Sequence, residues 1–461
     1  MYDDCLHNSQ AGFFLPWRER SERVNMTHWI DEQIGRQNDR FSLDQAFYKD
    51  PEIFQRDIDN IVLKQWLFVD HASRIPKKGD YFVQEIAGES IIILRETADT
   101  IRAFYNVCRH RGSRICLDQE GNAKRFFCSY HAWSYKLDGD LLAAPKMGAE
   151  FNKCDYGLHP CHVELLEGFI FINLSKETPP DFEKVRKTAL PFLAPHQLEK
   201  TKIVAREVYP TKANWKLVLE NFVECYHCPS SHPEYCSVND SVKLFGEASK
   251  EAASDYMAYW EEWNEKTSAM GHVVGVVRVP GEETDATPQN IVALDNPRNK
   301  VSGAQDGQVI GAYRLPIKRG FQTTTKDGTP AAPLLGNLKD FDGGETVMSL
   351  SYLSTIMVAN DYVTTIRFTP VSPQLTDVEI IWLAREDAIE GENLDTEKLK
   401  WMWHVTTVQD KTIVENNQLG VNSRLYQPGP YSNLEGDTNR FVRWYLKQIE
   451  GRSARRTRQT A

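Results

Sequence analysis

Features that would assign the chain to the membrane or nucleic-acid-binding classes are missing from its 461 residues. No run approaches the eighteen consecutive apolar residues of a transmembrane helix, and the first thirty residues lack the basic start and apolar stretch of a secretion signal. The 64 acidic residues outnumber the 54 basic ones, which argues against a nucleic-acid-binding surface. We therefore predict a cytoplasmic protein that acts on a small molecule and binds neither membrane nor nucleic acid.

The composition is that of a folded protein rather than a disordered chain. Hydrophobic residues make up 41% of the chain and charged residues 26%, so a chain of this length has enough apolar material for two or three cores. Nine cysteines are an odd number, and two of them stand close to histidines. This favours metal ligands in a reducing compartment over disulfides.

Three regions of different pattern follow one another along the chain. Residues 1–65 predict an irregular leader, in which Met26 is a second candidate start, and a helical segment over residues 51–63. Residues 66–178 hold short β-rich runs separated by Gly, Pro and Asp, which predict a small all-β domain. Residues 179–461 mix strand-like and helical runs and predict a larger α+β domain.

Two short sequences in the β-rich region each offer one thiolate and one imidazole. Cys108 and His110 come first, and Cys128 and His131 follow after seventeen intervening residues. A zinc finger usually pairs Cys with Cys and His with His, whereas two mixed pairs suit a [2Fe-2S] cluster with both thiolates on one iron and both imidazoles on the other. Histidine ligation raises the reduction potential, which suits electron delivery to an oxygen-activating centre. A Cys2His2 zinc site is the alternative.

A second group of metal-binding side chains lies in the larger region, near the end of a helical pattern over residues 215–228. His227 and His232 are five residues apart, which is about 140° around an unbroken helix, so they need a break to reach one metal. Pro229 and Pro233 supply the break, and we predict that His227 ends one helix and His232 begins the next. Two histidines and one carboxylate bind Fe(II) and leave positions open for O2.

The carboxylate of such a site has two candidates on a later helical pattern, over residues 395–418. Asp410 stands at helical spacing from Trp403 and Val414, which places it on the inward stripe, and Glu415 is its nearest rival. A buried carboxylate is unfavourable unless it is paired or bound to metal. A solvated charge on the helix surface fits the same pattern, so the spacing alone leaves the choice open.

From Phe47 almost to Leu446 the chain resembles the α subunits of Rieske non-haem iron oxygenases, and the similarity includes the small and aromatic residues that follow both Cys-His pairs. The resemblance implies an α+β protein: a small all-β Rieske domain, and a larger catalytic domain with an antiparallel sheet flanked by helices. It also implies a [2Fe-2S] cluster and a mononuclear Fe(II). The implied cluster ligands are Cys108, His110, Cys128 and His131, and the implied iron ligands are His227, His232 and Asp410.

In this family an acidic residue three positions before the first histidine ligand connects that histidine to a cluster histidine of the neighbouring subunit. Glu224 stands there, where most ring-hydroxylating members have Asp. The resemblance thus implies a bridging role for Glu224 and a homotrimer. It further implies a separate flavin- and iron-sulfur-containing reductase that supplies electrons from NAD(P)H, since the chain has no nucleotide-binding glycine motif. Cys225 and Cys228 are interpreted as small packed thiols, with redox or zinc chemistry as the alternative.

Within the family, the segment from Glu224 to Glu234 is most similar to the glycine betaine and choline monooxygenase group. That similarity implies oxidative N-demethylation of a quaternary ammonium compound such as glycine betaine, with O2 as oxidant and formaldehyde as product. The alternatives are an aromatic-ring dioxygenase or O-demethylase on the same scaffold, and a non-catalytic iron-sulfur electron-transfer or zinc-binding protein. An aromatic cage would hold the cation. Four aromatic residues share one helical face, which predicts a core stripe rather than this cage: Tyr256, Tyr259, Trp260 and Trp263.

Overall fold

The computed structural model describes residues 29–244, 250–272, 275–278, 283–284 and 311–450. The predicted leader with Met26 lies outside this part. Residues 29–36 are helical (α1). The further helices are α2 Gln45–Lys49, α3 Pro51–Asn60, α4 Phe182–Leu193, α5 Trp215–Phe222, α6 Cys228–Ser231, α7 Pro233–Val238, α8 Lys250–Ala269, α9 Thr396–Val421 and α10 Gly436–Ile449. Short 3-10 turns cover Val62–Lys64, Ala72–Arg74, Lys153–Tyr156, Ala194–His196, Leu198–Lys200 and Asp240–Leu244.

Strands precede and follow these helices in two groups. The first group is β1 Leu67–His71, β2 Asp80–Ile86, β3 Glu89–Arg95, β4 Ile101–Tyr105, β5 Glu120–Asn122, β6 Phe126–Phe127, β7 Ser134–Tyr135, β8 Leu141–Ala143, β9 Pro160–Leu166 and β10 Phe169–Asn173. The second is β11 Thr201–Thr211, β12 Gly275–Arg278, β13 Glu283–Thr284, β14 Gly311–Pro316, β15 Gly344–Ser351, β16 Ser354–Val358, β17 Tyr362–Ser372 and β18 Leu375–Arg385.

The first ten strands build two antiparallel sheets. A seven-stranded sheet has the order β1-β10-β9-β4-β3-β2-β5, and a small sheet β6-β7-β8 follows it. β-branched and aromatic residues with Gly turns between them favour such hairpins over helices. The small sheet shares a core with β3 and β4, because Phe126 and Tyr135 pack in the same cluster as Ile92 and Phe104.

The remaining strands form one eight-stranded antiparallel sheet with the order β11-β18-β17-β16-β15-β14-β12-β13. Its side chains alternate between two cores, as the period of two in a strand requires. On β18, Trp382 packs in the core that contains α5 and α9, whereas Ile381 packs in the core that contains α4. The predicted α+β class, with a small all-β part and an antiparallel sheet flanked by helices, is therefore confirmed. The boundaries at residues 66 and 178 stay a prediction.

Ion pairs join the first sheet to the eight-stranded sheet. Asp70 on β1 is fully buried and accepts hydrogen bonds from the guanidinium of Arg206 on β11 at 2.7 and 2.8 Å. Arg206 also pairs with Glu379 of β18, and Glu379 pairs with Arg367 of β17. Burying a carboxylate in this way is unfavourable unless positive partners and hydrogen bonds compensate for the lost water. This network therefore fixes the β-rich part against the sheet that carries the second site.

A buried polar cluster fixes the helix that leads into the second site. The carboxylate of Asp57 on α3 is fully buried, pairs with Lys216 of α5, and accepts hydrogen bonds from Trp215 Nε1 at 3.0 Å and Tyr445 Oη at 2.8 Å. Burial raises the pKa of Asp57, while Lys216 and the hydrogen bonds lower it. The cluster ties α3, α5 and α10 together directly before the chain reaches residues 224–232.

We expect Asp57→Ala to destabilise the fold by about 3–5 kcal/mol, because it leaves the Lys216 ammonium buried without its counter-charge. The double variant Asp57→Ala with Lys216→Met is expected to recover much of that loss. The matched control is Asp39→Ala, which removes the exposed pair between Asp39 and Arg443 and should cost less than about 1 kcal/mol. Thermal melting followed by circular dichroism measures all three; equal losses for Asp57→Ala and Asp39→Ala would contradict the prediction.

Candidate metal centres

The four candidate cluster ligands lie on two loops that share the same backbone hydrogen bonds. In each loop the cysteine N–H, from Cys108 or Cys128, donates to the carbonyl five residues later at 2.8 Å. The cysteine carbonyl accepts from the N–H four residues later at 3.0 Å. That fourth residue has a positive φ in both loops: 78° at Gly112 and 61° at Ala132. Glycine adopts this conformation freely, so Ala132 adopts it because the rest of its loop requires it.

The thiols and the imidazoles on these loops form two separate pairs. Cys108 and Cys128 are buried free thiols, and the ring centroids of His110 and His131 lie 4.5 Å apart. Trp133 stacks on the His110 ring at 4.8 Å. No three of the four donors gather within 4.8 Å, as a single zinc ion would require, in the part of the chain that the structure describes. The loops therefore fit two irons better than one zinc ion.

An unsatisfied nitrogen supports a ligand at the same place. Within the described residues His110 Nδ1 is buried and has no hydrogen-bond partner. A buried polar atom without a partner costs free energy unless something binds it. This imidazole nitrogen is of the type that ligates the outer iron of a Rieske cluster.

The second site begins where α5 ends. The structure places the end of α5 at Phe222, so the prediction that His227 ends a helix was wrong. Instead, His227 precedes the short helix α6, and His232 lies between α6 and α7. The break after Phe222 and the prolines in the first turns of α6 and α7 turn both imidazoles to one side. The prediction that His232 begins the next helix is confirmed, since it is the N-terminal flanking residue of α7.

Three donor atoms meet at this point. His227 Nε2 and His232 Nε2 are 3.1 Å apart, and Asp410 Oδ1 of α9 lies 3.4 Å from the first and 3.0 Å from the second. Among the described residues this is the only set of three or more such ligand atoms that all lie within 4.8 Å of one another. Two imidazoles and one carboxylate are the donors of Fe(II) sites that activate O2, so the residues fit a mononuclear iron.

Each imidazole is oriented by a hydrogen bond from its other nitrogen. His227 Nδ1 donates to Glu224 Oε1 at 2.6 Å, and His232 Nδ1 donates to Gln409 Oε1 at 2.8 Å. The Gln409 amide is itself fixed, because its Nε2 donates to Glu234 Oε2 at 2.8 Å. Both rings therefore direct Nε2 toward Asp410. Such partners set the tautomer and raise the basicity of metal-binding histidines.

The electrostatics of the site favour a cation. Burial lowers the pKa of His227, but its hydrogen bonds to Asp410 and Glu224 outweigh burial and raise it to about 9. Burial raises the pKa of Asp410, yet hydrogen bonds to both imidazoles lower it overall. The two carboxylates thus stabilise positive charge between the rings, where a metal would add its own.

Sequence reasoning missed two residues and misjudged two others. Asn221 Nδ2 lies 3.1 Å from His227 Nε2, and Gln409 fixes His232; a polar residue directly before Asp410 was the available signal for Gln409. The prediction of packed thiols was wrong, because Cys225 and Cys228 form a disulfide across His227. In the loop that follows α5 the two Cα atoms are 4.9 Å apart, which is close enough for a disulfide. Cys154 is also disulfide-bonded.

The rival carboxylate and the aromatic stripe both lie elsewhere. Glu415 pairs with Lys411 and accepts a hydrogen bond from Lys212 N at 2.8 Å, so it does not reach the histidines. The core interpretation of the aromatic residues on α8 is confirmed for Tyr256, Trp260 and Trp263, which are buried. None of the four aromatic residues lines the cavity beside His227 and His232.

A cavity of about 310 Å³ opens beside the donor triad. Its walls come from the loop after α5, from α9, and from one face of the strands β14, β15 and β16. The volume lies at the lower end of the range for small-molecule sites. The cavity wall contains His227, His232 and Asp410 together with Phe222, Tyr235, Tyr313, Glu345, Tyr352 and Trp403.

None of the helices in the described part of the chain combines the length and the apolar composition that crossing a bilayer demands.

Two family descriptions match the chain. Residues 65–162 match the Rieske [2Fe-2S] domain, and residues 198–451 match the ring hydroxylating alpha subunit (catalytic domain). The first match contains all four candidate cluster ligands, and the second contains the donor triad. Together they cover most of the chain.

Curated relatives match over nearly the whole length. The glycine betaine monooxygenase oxygenase subunit of Pseudomonas aeruginosa is 33% identical over 413 residues, 89% of each chain. That of Chromohalobacter salexigens is 35% identical over 420 residues, 89% of this chain and 86% of the relative. Among solved structures, a quaternary ammonium Rieske monooxygenase in complex with L-carnitine superposes with a TM-score of 0.61 at 20% identity, covering 91% of this chain and 99% of that one. This last likeness shows the fold.

Proposed function

Since the chain belongs to the Rieske non-haem iron oxygenases, as an α subunit with a [2Fe-2S] domain and a mononuclear iron domain, we propose that it removes a methyl group from a small quaternary ammonium compound. Glycine betaine is the first substrate to test. The observation that carries the proposal is the cavity beside the donor triad, because it offers room for a small molecule next to the residues that fit iron. The names of the relatives support the substrate class.

The residues of the chain have separate tasks in this proposal. His227, His232 and Asp410 hold the mononuclear iron, and the Cys108, His110, Cys128 and His131 loops hold the cluster. When bound, the cluster supplies electrons and the iron supplies O2 activation. Glu224 and Gln409 hold the Nδ1 atoms of the two histidines by hydrogen bonds, so the two Nε2 atoms are aimed at one point and would be the nitrogens that bind iron. The aromatic and aliphatic walls of the cavity exclude water from the reacting methyl group.

The proposed reaction balances with one O2 and one reductase cycle. The trimethylammonium compound takes one oxygen atom into a methyl group, and the second oxygen leaves as water with two electrons and two protons. The C–N bond to the hydroxymethyl group then breaks and releases formaldehyde and a proton. The remaining product is the tertiary amine, with two methyl groups on its nitrogen. The α subunits of this family receive their electrons from a reductase, and we propose that this one is a separate flavin and iron-sulfur protein that oxidises NAD(P)H.

We further propose that the chain acts as a homotrimer in which the Glu224 carboxylate bridges His227 and a cluster histidine of a neighbouring subunit, so that electrons pass from that cluster to the mononuclear iron. Within one chain, no hydrogen bond or ion pair among the described residues connects Glu224 with either cluster loop. Tyr226, in the same loop as Glu224, is 51% exposed, and Tyr130 in a cluster loop is 55% exposed. Both loops are therefore available to a second subunit.

A single-turnover experiment tests the proposed function without the natural reductase. The purified chain is reduced chemically, freed of reductant, and mixed with O2 and one compound from a panel of glycine betaine, carnitine, choline and aromatic acids. We expect formaldehyde in step with O2 consumption for a quaternary ammonium compound, at up to about one equivalent per iron site. Product formation from an aromatic acid alone would overturn the N-demethylation proposal and favour a ring hydroxylase or O-demethylase.

A further inference from the structure

One carboxylate in the cavity wall has no partner among the described residues. Glu345 on β15 is 8% exposed, and within that part of the chain no hydrogen bond or ion pair reaches its side chain. A buried carboxylate without a counter-charge or hydrogen bond is costly. The fold itself does not require an acid there, since a glutamine or methionine would fill about the same space.

The side chain of Glu345 belongs to the cavity and not to the core behind the sheet. On β15 the odd-numbered residues Glu345, Val347, Ser349 and Ser351 line the cavity. The even-numbered residue Met348 packs with α4 on the other face. This alternation is the period of two of a β-strand, so the carboxylate shares a face with the residues that surround the substrate space.

The positive side chain that acts on Glu345 is already paired with another carboxylate. Arg314 acts on Glu345 electrostatically, but its guanidinium donates to Asp342 Oδ2 at 2.9 Å and to Asp342 Oδ1 at 2.7 Å. Burial raises the pKa of Glu345 to about 7, and Arg314 offsets only part of this. Among the described residues, the negative charge of Glu345 is therefore left largely uncompensated.

Aromatic groups stand close to this carboxylate. Tyr235 and Tyr313 both line the cavity, and the pKa of Tyr235 is raised first by its burial and then by its proximity to Tyr313 and Glu345. Ring faces attract a quaternary ammonium group, which offers no N–H for a hydrogen bond. A carboxylate beside such rings adds a negative charge when it is ionised, and a bound cation favours the ionised form in a medium of low dielectric constant.

From this arrangement we propose that Glu345 is the counter-charge that selects cationic substrates: the trimethylammonium group binds between the Glu345 carboxylate and the rings of Tyr235 and Tyr313. This inference rests on the proposed function for the identity of the substrate class. It adds a residue that determines specificity, outside the iron ligands. The aromatic residues on α8, which the sequence predicts to be a core stripe, take no part in this site, and the proposed charge recognition lies on β15, β14 and α7.

The test compares a ligand that has a trimethylammonium group with one that has an uncharged tert-butyl group in its place. Glycine betaine and 3,3-dimethylbutanoate have the same shape, but the second has carbon in place of the positive nitrogen. We expect the wild-type chain to bind glycine betaine at least about tenfold more tightly than 3,3-dimethylbutanoate in calorimetric titration, and Glu345→Gln to bring this ratio close to one. The variant keeps side-chain volume, so its melting temperature should equal or exceed that of the wild type.

The matched control is Glu386→Gln, which removes the same charge from an exposed position after β18 and should leave the ratio unchanged. A ratio that Glu345→Gln does not alter, or a wild-type chain that does not prefer the cation, would overturn the inference. Formaldehyde assays separate it from the proposed function. Equal Michaelis constants for glycine betaine in wild type and Glu345→Gln would refute the role of Glu345 alone. If Glu345→Gln lost the preference for glycine betaine but the wild type released no formaldehyde, the role of Glu345 would stand and only the proposed reaction would be refuted.

Discussion

Asp410→Ala is expected to abolish turnover and to remove one iron per chain while the [2Fe-2S] cluster stays intact. Two neutral imidazoles hold a divalent iron weakly once the anionic ligand is gone. Loss of a residue that merely supports a metal ligand already costs about 10–100-fold in affinity or activity, so loss of the ligand itself should cost at least about 100-fold. Metal analysis should give about two irons instead of about three, with the visible spectrum of the cluster unchanged.

The control for this variant is Glu415→Ala, on the same helix and five residues further along. Glu415 bonds to Lys411 and to the backbone of Lys212, so its loss should leave iron content and formaldehyde release close to wild type. The opposite pattern, with iron kept in Asp410→Ala and lost in Glu415→Ala, would show that the third ligand had been assigned to the wrong carboxylate.

The cluster loops were predictable from sequence because their ligands are local. Cys108 with His110, and Cys128 with His131, each lie within one tight turn, so short spacing determines the geometry of each pair. The antiparallel sheets were predictable for the same reason, since β-branched runs between glycine turns form hairpins with near neighbours. Nothing in such a pattern depends on residues far along the chain.

The second site was only partly predictable, because distant segments complete it. Asp410 is 178 residues from His232, and its helical pattern alone allowed a solvated position; the family resemblance decided between the two. The end of α5 at Phe222 was missed because residues 223–228 keep helix-compatible composition, and tertiary contacts override propensity there. The Cys225–Cys228 disulfide depends on that break, so it was missed together with it.

The proposed role of Glu345 was even less predictable from sequence, because it depends on segments that are far apart in the chain. Glu345 is an ordinary residue of an alternating strand in the sequence, and only the register of β15 with β14 and the packing of α7 bring it beside Tyr313 and Tyr235. The same carboxylate at a strand edge would be a solvated charge. The inference about its role therefore arises from the fold and from the absence of a partner among the described residues, and not from any motif.

Glu224→Gln is expected to slow electron transfer to the mononuclear iron while it preserves iron binding. The Glu224 carboxylate accepts a hydrogen bond from His227 Nδ1 and another from Tyr226 N, and a glutamine oxygen can still accept from His227 but carries no charge. Residues that support a metal ligand in this way affect activity by about 10–100-fold. Stopped-flow mixing of the reduced chain with O2 and substrate should therefore show reoxidation of the cluster slowed by that factor, with the iron content unchanged.

Two comparisons decide between an electron bridge and a purely structural role for Glu224. Glu224→Asp retains the charge, shortens the side chain by one methylene, and reproduces the residue that most ring-hydroxylating members of the family carry, so it should restore reoxidation to within a few-fold of wild type. If Glu224→Gln instead reoxidised its cluster at the wild-type rate and lost mononuclear iron, Glu224 would act only by holding His227. Because the charge and the hydrogen bond to His227 belong to the same carboxylate, only variants that separate them, as Gln and Asp do, assign the bridge.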